Sequence, residues 1–139
     1  MDPSDLDAAI AGVCAATRGV RIAFLFGSHA SGRPHRDSDV DVGVVTDRRL
    51  LPDRSSRFDL RVQLSSDLAA ALHHNQIDVV ILDDAPALFA RQVLRTGRLL
   101  WSSDEDSVRQ FTRQTQLRAA DIEPAVLRGR KTAAEVLAR

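Results

Sequence analysis

The sequence predicts an α/β (α+β) domain, and three observations carry that prediction. Short apolar runs of strand length stand at residues 20–26 (VRIAFLF), 40–45 (VDVGVV) and 77–82 (IDVVIL). Longer segments around them repeat their apolar residues at helical spacing. The pattern changes at Gly, Pro or Asp/Ser positions that turn or cap a chain. At 139 residues the chain reads as one domain that buries its own core without a disulfide or structural metal.

The elements follow in order. Asp2 or Ser4 caps a first helix with Pro3 in its first turn. Leu6, Ile10, Val13 and Cys14 set its inner face to about Thr17, and Gly19 ends it. The run at 20–26 is bounded by Gly on both sides and reads as a buried strand. Residues 27–38 form a polar loop, with room for a helical turn near Ser28. In the second strand Val40, Val42 and Val44 face one way, and Asp39, Asp41, Gly43 and Val45 the other. A long helix is expected from Leu50 to about His74, with Pro52 near its start. It carries Leu51, Phe58, Val62, Leu64, Leu68 and Leu72. The third strand follows, then a helix opened by Pro86 and closed at Gly97, and a short strand at Leu99, Leu100 and Trp101. Asp104 caps a last helix with Val108, Phe111, Gln114 or Thr115, and Leu117–Arg118 along one side. Pro124 is expected to kink or end it.

Composition narrows the function classes. Nineteen cations balance nineteen anions, which argues against direct nucleic-acid binding through a basic face. An apolar content of 44% argues against a disordered chain. No apolar run reaches membrane-spanning length, and the acidic N-terminus is unlike a secretory signal. A cytoplasmic, membrane-free protein is therefore expected. Cys14 is the lone cysteine and fits a helix core face. The balance is uneven along the chain: residues 1–83 hold nine cations against twelve anions, and residues 84–139 ten against seven. The segment from 127 to 139 is basic, with three Arg and Lys131 against Glu135, and reads as a tail after a domain of residues 1–126.

Chemistry concentrates in Gly27–Asp41. Asp39 and Asp41 are two apart in a strand, so both emerge on one face. Like charges that close repel, and they call for a cation. Paired carboxylate oxygens suit Mg²⁺. Asp78 interrupts the third apolar run and can join them if the strands are neighbours. Three carboxylates then suit a two-metal phosphoryl-transfer site. Gly27 permits close backbone approach, and Ser28 offers a hydroxyl and a backbone N–H to a phosphate. A P-loop fits poorly. The Gly27-x₄-Gly32 spacing is right, but Arg33 and Pro34 stand where Lys and Ser/Thr are required.

Gly27-Ser28, ten residues, then Asp39-Val40-Asp41, with Asp78 on a later strand, resembles the minimal nucleotidyltransferases of the DNA polymerase β-like superfamily. Phe89–Trp101 (FARQVLRTGRLLW) is similar to the matching region of MNT-domain antitoxins, so the resemblance covers roughly residues 6–120. It implies a small mixed β-sheet flanked by helices, the polymerase β-like nucleotidyltransferase fold. It implies a reaction, transfer of AMP from ATP to a tyrosine hydroxyl of a partner HEPN-domain ribonuclease toxin. It also implies roles. Asp39, Asp41 and Asp78 are metal ligands and catalytic groups, with Asp78 nearest the attacking hydroxyl. Gly27 and Ser28 contact the triphosphate. Many relatives carry a basic residue where Ser31 stands here, which leaves Arg33 or Arg36 to meet the triphosphate.

Other residues read more simply. His29 and His35 fit a solvated loop, with contact to nucleotide or partner as the alternative, and His73 and His74 fit favourable partners for a helix end. Trp101 is open between core and partner contact. The competing functions are a binding-only antitoxin of the same fold and a stand-alone small-molecule nucleotidyltransferase. The second usually needs an added acceptor domain, for which 139 residues leave little room. The toxin role is excluded, because no His has an Arg five to seven residues before it.

Overall fold

The computed structural model describes residues 2–32, 39–74 and 76–138, with side chains described as far as residue 122. Among these residues the order is α1 (Pro3–Ala16), β1 (Val20–Phe26), β2 (Val40–Thr46), α2 (Arg54–Leu72), β3 (Ile77–Ile81), α3 (Ala87–Thr96), β4 (Arg98–Ser102) and α4 (Glu105–Ala138). The strands form one sheet in the order β3-β2-β1-β4. β1 pairs antiparallel with β2 and β4, and β2 pairs parallel with β3. The sheet is mixed and flanked by helices, as expected.

Strand alternation sorts the core into two layers. Val40, Val42 and Val44 join Ala23, Leu25, Val79 and Ile81 under α1 and α2. Ile22, Phe24, Val45 and Leu82 join Ala90, Val93 and Phe111 under α3 and α4. The predicted faces of β2 are the observed ones. A register shift between Val20 and Ile22 lets Val20 and Ala23 share the first layer.

Helices α1, α2 and α4 begin where side chains satisfy their first N–H groups, whereas α3 opens after Pro86 without a side-chain cap. Asp2 accepts from the Ser4 N–H and Asp104 from the Ser107 N–H. α2 starts later than predicted, at Arg54, because Asp53 caps it by accepting from the Ser56 N–H at 2.7 Å. A turn at residues 48–50 and an irregular stretch at 51–53 precede it, which suits Pro52. The inner stripe of α2 is Leu60, Leu64, Leu68 and Leu72, at strict i+4 spacing, with Arg57 one turn earlier. Phe58 and Val62 point outward, 58% and 54% exposed, although their hydrophobicity suggested the inner face. On α4 the buried row is Ser107, Phe111, Thr115 and Ala119, so Leu117 faces out. α4 continues past Pro124 to Ala138 rather than ending there. Pro124 removes one helical donor, and the Ala- and Leu-rich sequence on either side sustains the helix.

At the C-terminal ends of β2 and β3 an arginine–aspartate clamp closes the sheet. Arg57, buried, donates to Asp84 at 2.7 Å and to the Leu51 carbonyl at 3.0 Å. Arg48 reaches both Asp83 and Asp84 at 2.8 Å. Thr46 donates its hydroxyl to Asp83 at 2.6 Å.

Candidate active site

The opposite end of the same strands gathers the predicted acids. β1 and β2 are antiparallel, so the end of β1, which carries Gly27 and Ser28, meets the start of β2. β3 runs parallel to β2, so its first residues arrive at that end too. One register row reads Phe26, Asp41, Asp78, and the next row inward reads Phe24, Gly43, Val80. Asp41 and Asp78 are thus neighbours on the face covered farther in by α3 and α4. Asp39 stands just before β2, exposed.

Gly27 is required where it stands. Its φ is +76°, a region that L side chains rarely adopt, and a Cβ there would collide with Oδ2 of Asp41. The carboxylate of Asp41 therefore lies directly against the Gly27 backbone. After Gly27 the chain makes one helical turn. The Ser31 N–H donates to the Gly27 carbonyl at 3.2 Å, and the Ser31 hydroxyl to the Ser28 carbonyl at 2.9 Å. The turn expected near Ser28 is present. Arg33, His35 and Arg36 lie outside the described residues.

The Asp41 carboxyl lies in a field of like charge. Burial pushes the Asp41 carboxyl above its ordinary value, and the fields of Asp78 and Asp39 push it further, against a smaller opposing effect of His29. Arg61 of α2 approaches Asp78 only to 3.8 Å, with both side chains about half exposed. Among the described residues no three His, Cys, Asp or Glu side chains converge as a metal-holding group. Asp39, Asp41 and Asp78 offer hard oxygens, and Mg²⁺ takes one or two carboxylates and fills its shell with water and phosphate oxygens.

Three contacts at the site were not legible in the sequence. Arg61 follows Arg57 at i+4, which places a cation on the α2 surface beside Asp78. His29 acts on Asp41 and stacks edge-on with His74, ring centroids 6.5 Å apart. Phe89 of α3 stacks edge-on with Phe26 at 5.7 Å, walling the row of acids on its inner side. The remaining candidates are structural. Cys14 is fully buried, its thiol pushed up to about 12 by that burial. His73 adopts the left-handed conformation that ends α2. Trp101 packs, half-buried, against the α1–α2 layer. Among the described residues no helix is long and apolar enough to cross a membrane.

A four-stranded mixed sheet with acids gathered where β1 hands over to β2 is the architecture of a nucleotidyltransferase. The polymerase beta nucleotidyltransferase family matches residues 4–106, and the chain belongs to that family. The protein adenylyltransferase MntA of Shewanella oneidensis is 32% identical over 87 residues, which span 63% of this chain and 58% of that relative. The chain thus matches little more than half of that relative's length. Among solved structures, a toxin–antitoxin with AMP-PNP is similar at TM-score 0.69 and 24% identity, over 96% of this chain and 98% of that one. The complex of tri-AMPylated Shewanella oneidensis HEPN toxin with MNT antitoxin is similar at TM-score 0.66 and 20% identity, over 99% and 100%. At these identities the two structures establish the fold.

Proposed function

We propose that this chain is a Mg²⁺-dependent protein adenylyltransferase, the antitoxin of a HEPN ribonuclease toxin, which it neutralises by moving AMP from ATP to a toxin tyrosine. The observation that carries the proposal is the in-register pair Asp41–Asp78 set against the Gly27-Ser28 turn. The similarity to MntA supports the choice of AMP and of a protein acceptor.

Gly27 and Ser28 present backbone N–H groups to the triphosphate, with Arg33 as a further contact. Asp39 and Asp41 would hold the metal, with Asp78 as third ligand. Bound there, Mg²⁺ would neutralise phosphate charge and ease ionisation of the acceptor hydroxyl. Asp78 faces that hydroxyl and takes its proton. The tyrosine oxygen attacks the α-phosphorus, the bond to the bridging oxygen breaks, and pyrophosphate leaves in line. Positioning and charge stabilisation supply the acceleration. The catalytic domain is residues 1–126, and the basic segment 127–139 lies beyond it. The protein works in the cytoplasm, on a partner protein and without direct contact to nucleic acid.

The test is labelled ATP with the product of the neighbouring gene. Asp39→Asn, Asp41→Asn and Asp78→Asn are each expected to lower transfer by on the order of 10³-fold, with circular dichroism unchanged. Undiminished labelling in the Asp39 and Asp41 variants would refute the site. Full neutralisation of the toxin in cells by the Asp39→Asn/Asp41→Asn double variant would establish the binding-only alternative instead.

A further inference from the structure

A cleft of about 540 Å³ opens at the β3 edge of the sheet, between α2, the end of β3 and the start of α3. Phe58, Val80, Pro86 and Phe89 form its apolar walls, and Arg54 and Arg61 its rim. Two of its lining residues, Arg61 and Val80, link it to Asp78. Arg61 reaches Asp78, and Val80 follows Asp78 on the same strand face, about 7 Å along. A tyrosine side chain spans that interval. Phe58 is more than half exposed, and Val62 extends the apolar surface one helical turn farther along α2.

We propose that this cleft docks the acceptor segment of the partner protein, a stretch with apolar or aromatic residues and acidic neighbours around the modified tyrosine. The inference rests on the adenylyltransferase reading and assigns its acceptor side. Two arguments select this occupant over the adenine of ATP. The first is the order of parts across the sheet. Gly27 and Ser28 lie on the β1 side of Asp41, and the cleft lies on the β3 side. In-line displacement puts the departing pyrophosphate and the incoming hydroxyl on opposite sides of the α-phosphorus. With the triphosphate on the β1 side, the hydroxyl enters from the cleft. The second is charge. Asp84 in the cleft is already neutralised by Arg57 and Arg48. Arg54 makes no ion pair among the described residues, and Arg61 makes only the 3.8 Å approach to Asp78. The rim is therefore positive and matches an acidic segment.

The experiment uses Phe58→Ala and Arg54→Glu, singly and together, in the full chain. Both residues are exposed, so folding is expected to survive, and thermal melting checks it. Initial rates are measured with the neighbouring-gene protein as acceptor and with ATP varied separately. The proposal expects the acceptor KM to rise about tenfold in the double variant, with the ATP KM and kcat unchanged. A rise in the ATP KM alone would make the cleft an adenine pocket and overturn the proposal, as would no change in either constant. Affinity of the double variant for the acceptor protein, measured by calorimetry, separates this inference from the reaction beneath it. If the parent chain transfers no AMP but the double variant still loses affinity, the docking site stands and the enzymatic reading fails. If affinity is unaffected, the docking site fails.

Discussion

β2 and β3 carry aspartates at both of their ends, and the two ends are treated in opposite ways. At the C-terminal end Asp83 and Asp84 are met by Arg48, Arg57 and Thr46. Burial works against the Asp84 carboxylate, but the hydrogen bond from Arg57 and the field of Arg48 outweigh it and hold Asp84 below the ordinary carboxylate range. At the N-terminal end Asp41 sits among Asp39 and Asp78, and burial and repulsion push it the other way. The first end is a finished structural joint. At the second, among the described residues, the repulsion of Asp78 and Asp39 on Asp41 outweighs the opposing field of His29, the condition expected of a site that receives a cation with its substrate.

The largest expected effect of breaking this comparison lies at the finished end. Arg57 is buried and links Asp84 to the stretch before α2 through the Leu51 carbonyl. Arg57→Met keeps the bulk of the stem but leaves Asp84 with Arg48 as its one arginine partner among the described residues, and it should lower Tm by on the order of 10 °C. Adding Asp84→Asn should restore part of the loss, because the partly buried charge that has lost its buried partner is gone. Equal Tm values for parent and Arg57→Met would show that the clamp holds nothing.

A smaller loss is expected where the open end meets the backbone. Gly27→Ala places a Cβ against the Asp41 carboxylate at a positive φ, and should destabilise the fold by about 1–3 kcal/mol. Denaturant titration measures it. Gly27→Ala/Asp41→Gly, which removes the obstructing carboxylate, should recover the steric part and leave the backbone part. No recovery would mean that φ alone makes Gly27 necessary.

Much of the open end was legible in the sequence, and little of the finished one. Asp39, Asp41 and Asp78 interrupt apolar strand runs, and an acid in such a run is conspicuous because a core has no use for it. Gly27-Ser28 was legible through its spacing to Asp39. Asp83 and Asp84 follow a strand in what reads as an ordinary polar turn, and their partners come from α2 and the β2–α2 turn. Nothing local marks Arg57 as buried. It occupies the inner stripe one turn before Leu60, a place that periodicity assigns to an apolar residue. The same displacement turns Phe58 and Val62 outward, so the cleft was invisible for the reason that the clamp was. Strand order also had to be seen. The parallel β2–β3 pairing brings Asp78 to Asp41, and sequence alone supplied that only through resemblance.

The smallest effect gives the comparison its sharpest form, because the two ends should respond to pH with opposite signs. Asp84 binds its proton less readily folded than unfolded. Its contribution is present above the ordinary carboxylate value and is lost as pH falls through the depressed folded value. Asp41 binds its proton more readily folded than unfolded. Its ionisation therefore costs stability, a cost that grows as pH rises from the ordinary value through the raised one and is constant above it. Asp41→Asn removes that cost. With chelator present and no nucleotide, it should melt a few degrees above the parent at neutral pH, although it is inactive. Asp84→Asn should melt below the parent under the same conditions. Both differences should shrink toward zero as pH falls into the range where the parent carboxyls are protonated. Thermal melts of parent and variants from acid to neutral pH check this. Asp41→Asn melting below the parent at neutral pH would show that the open end is already compensated within the chain, and that the requirement for an external cation is mistaken.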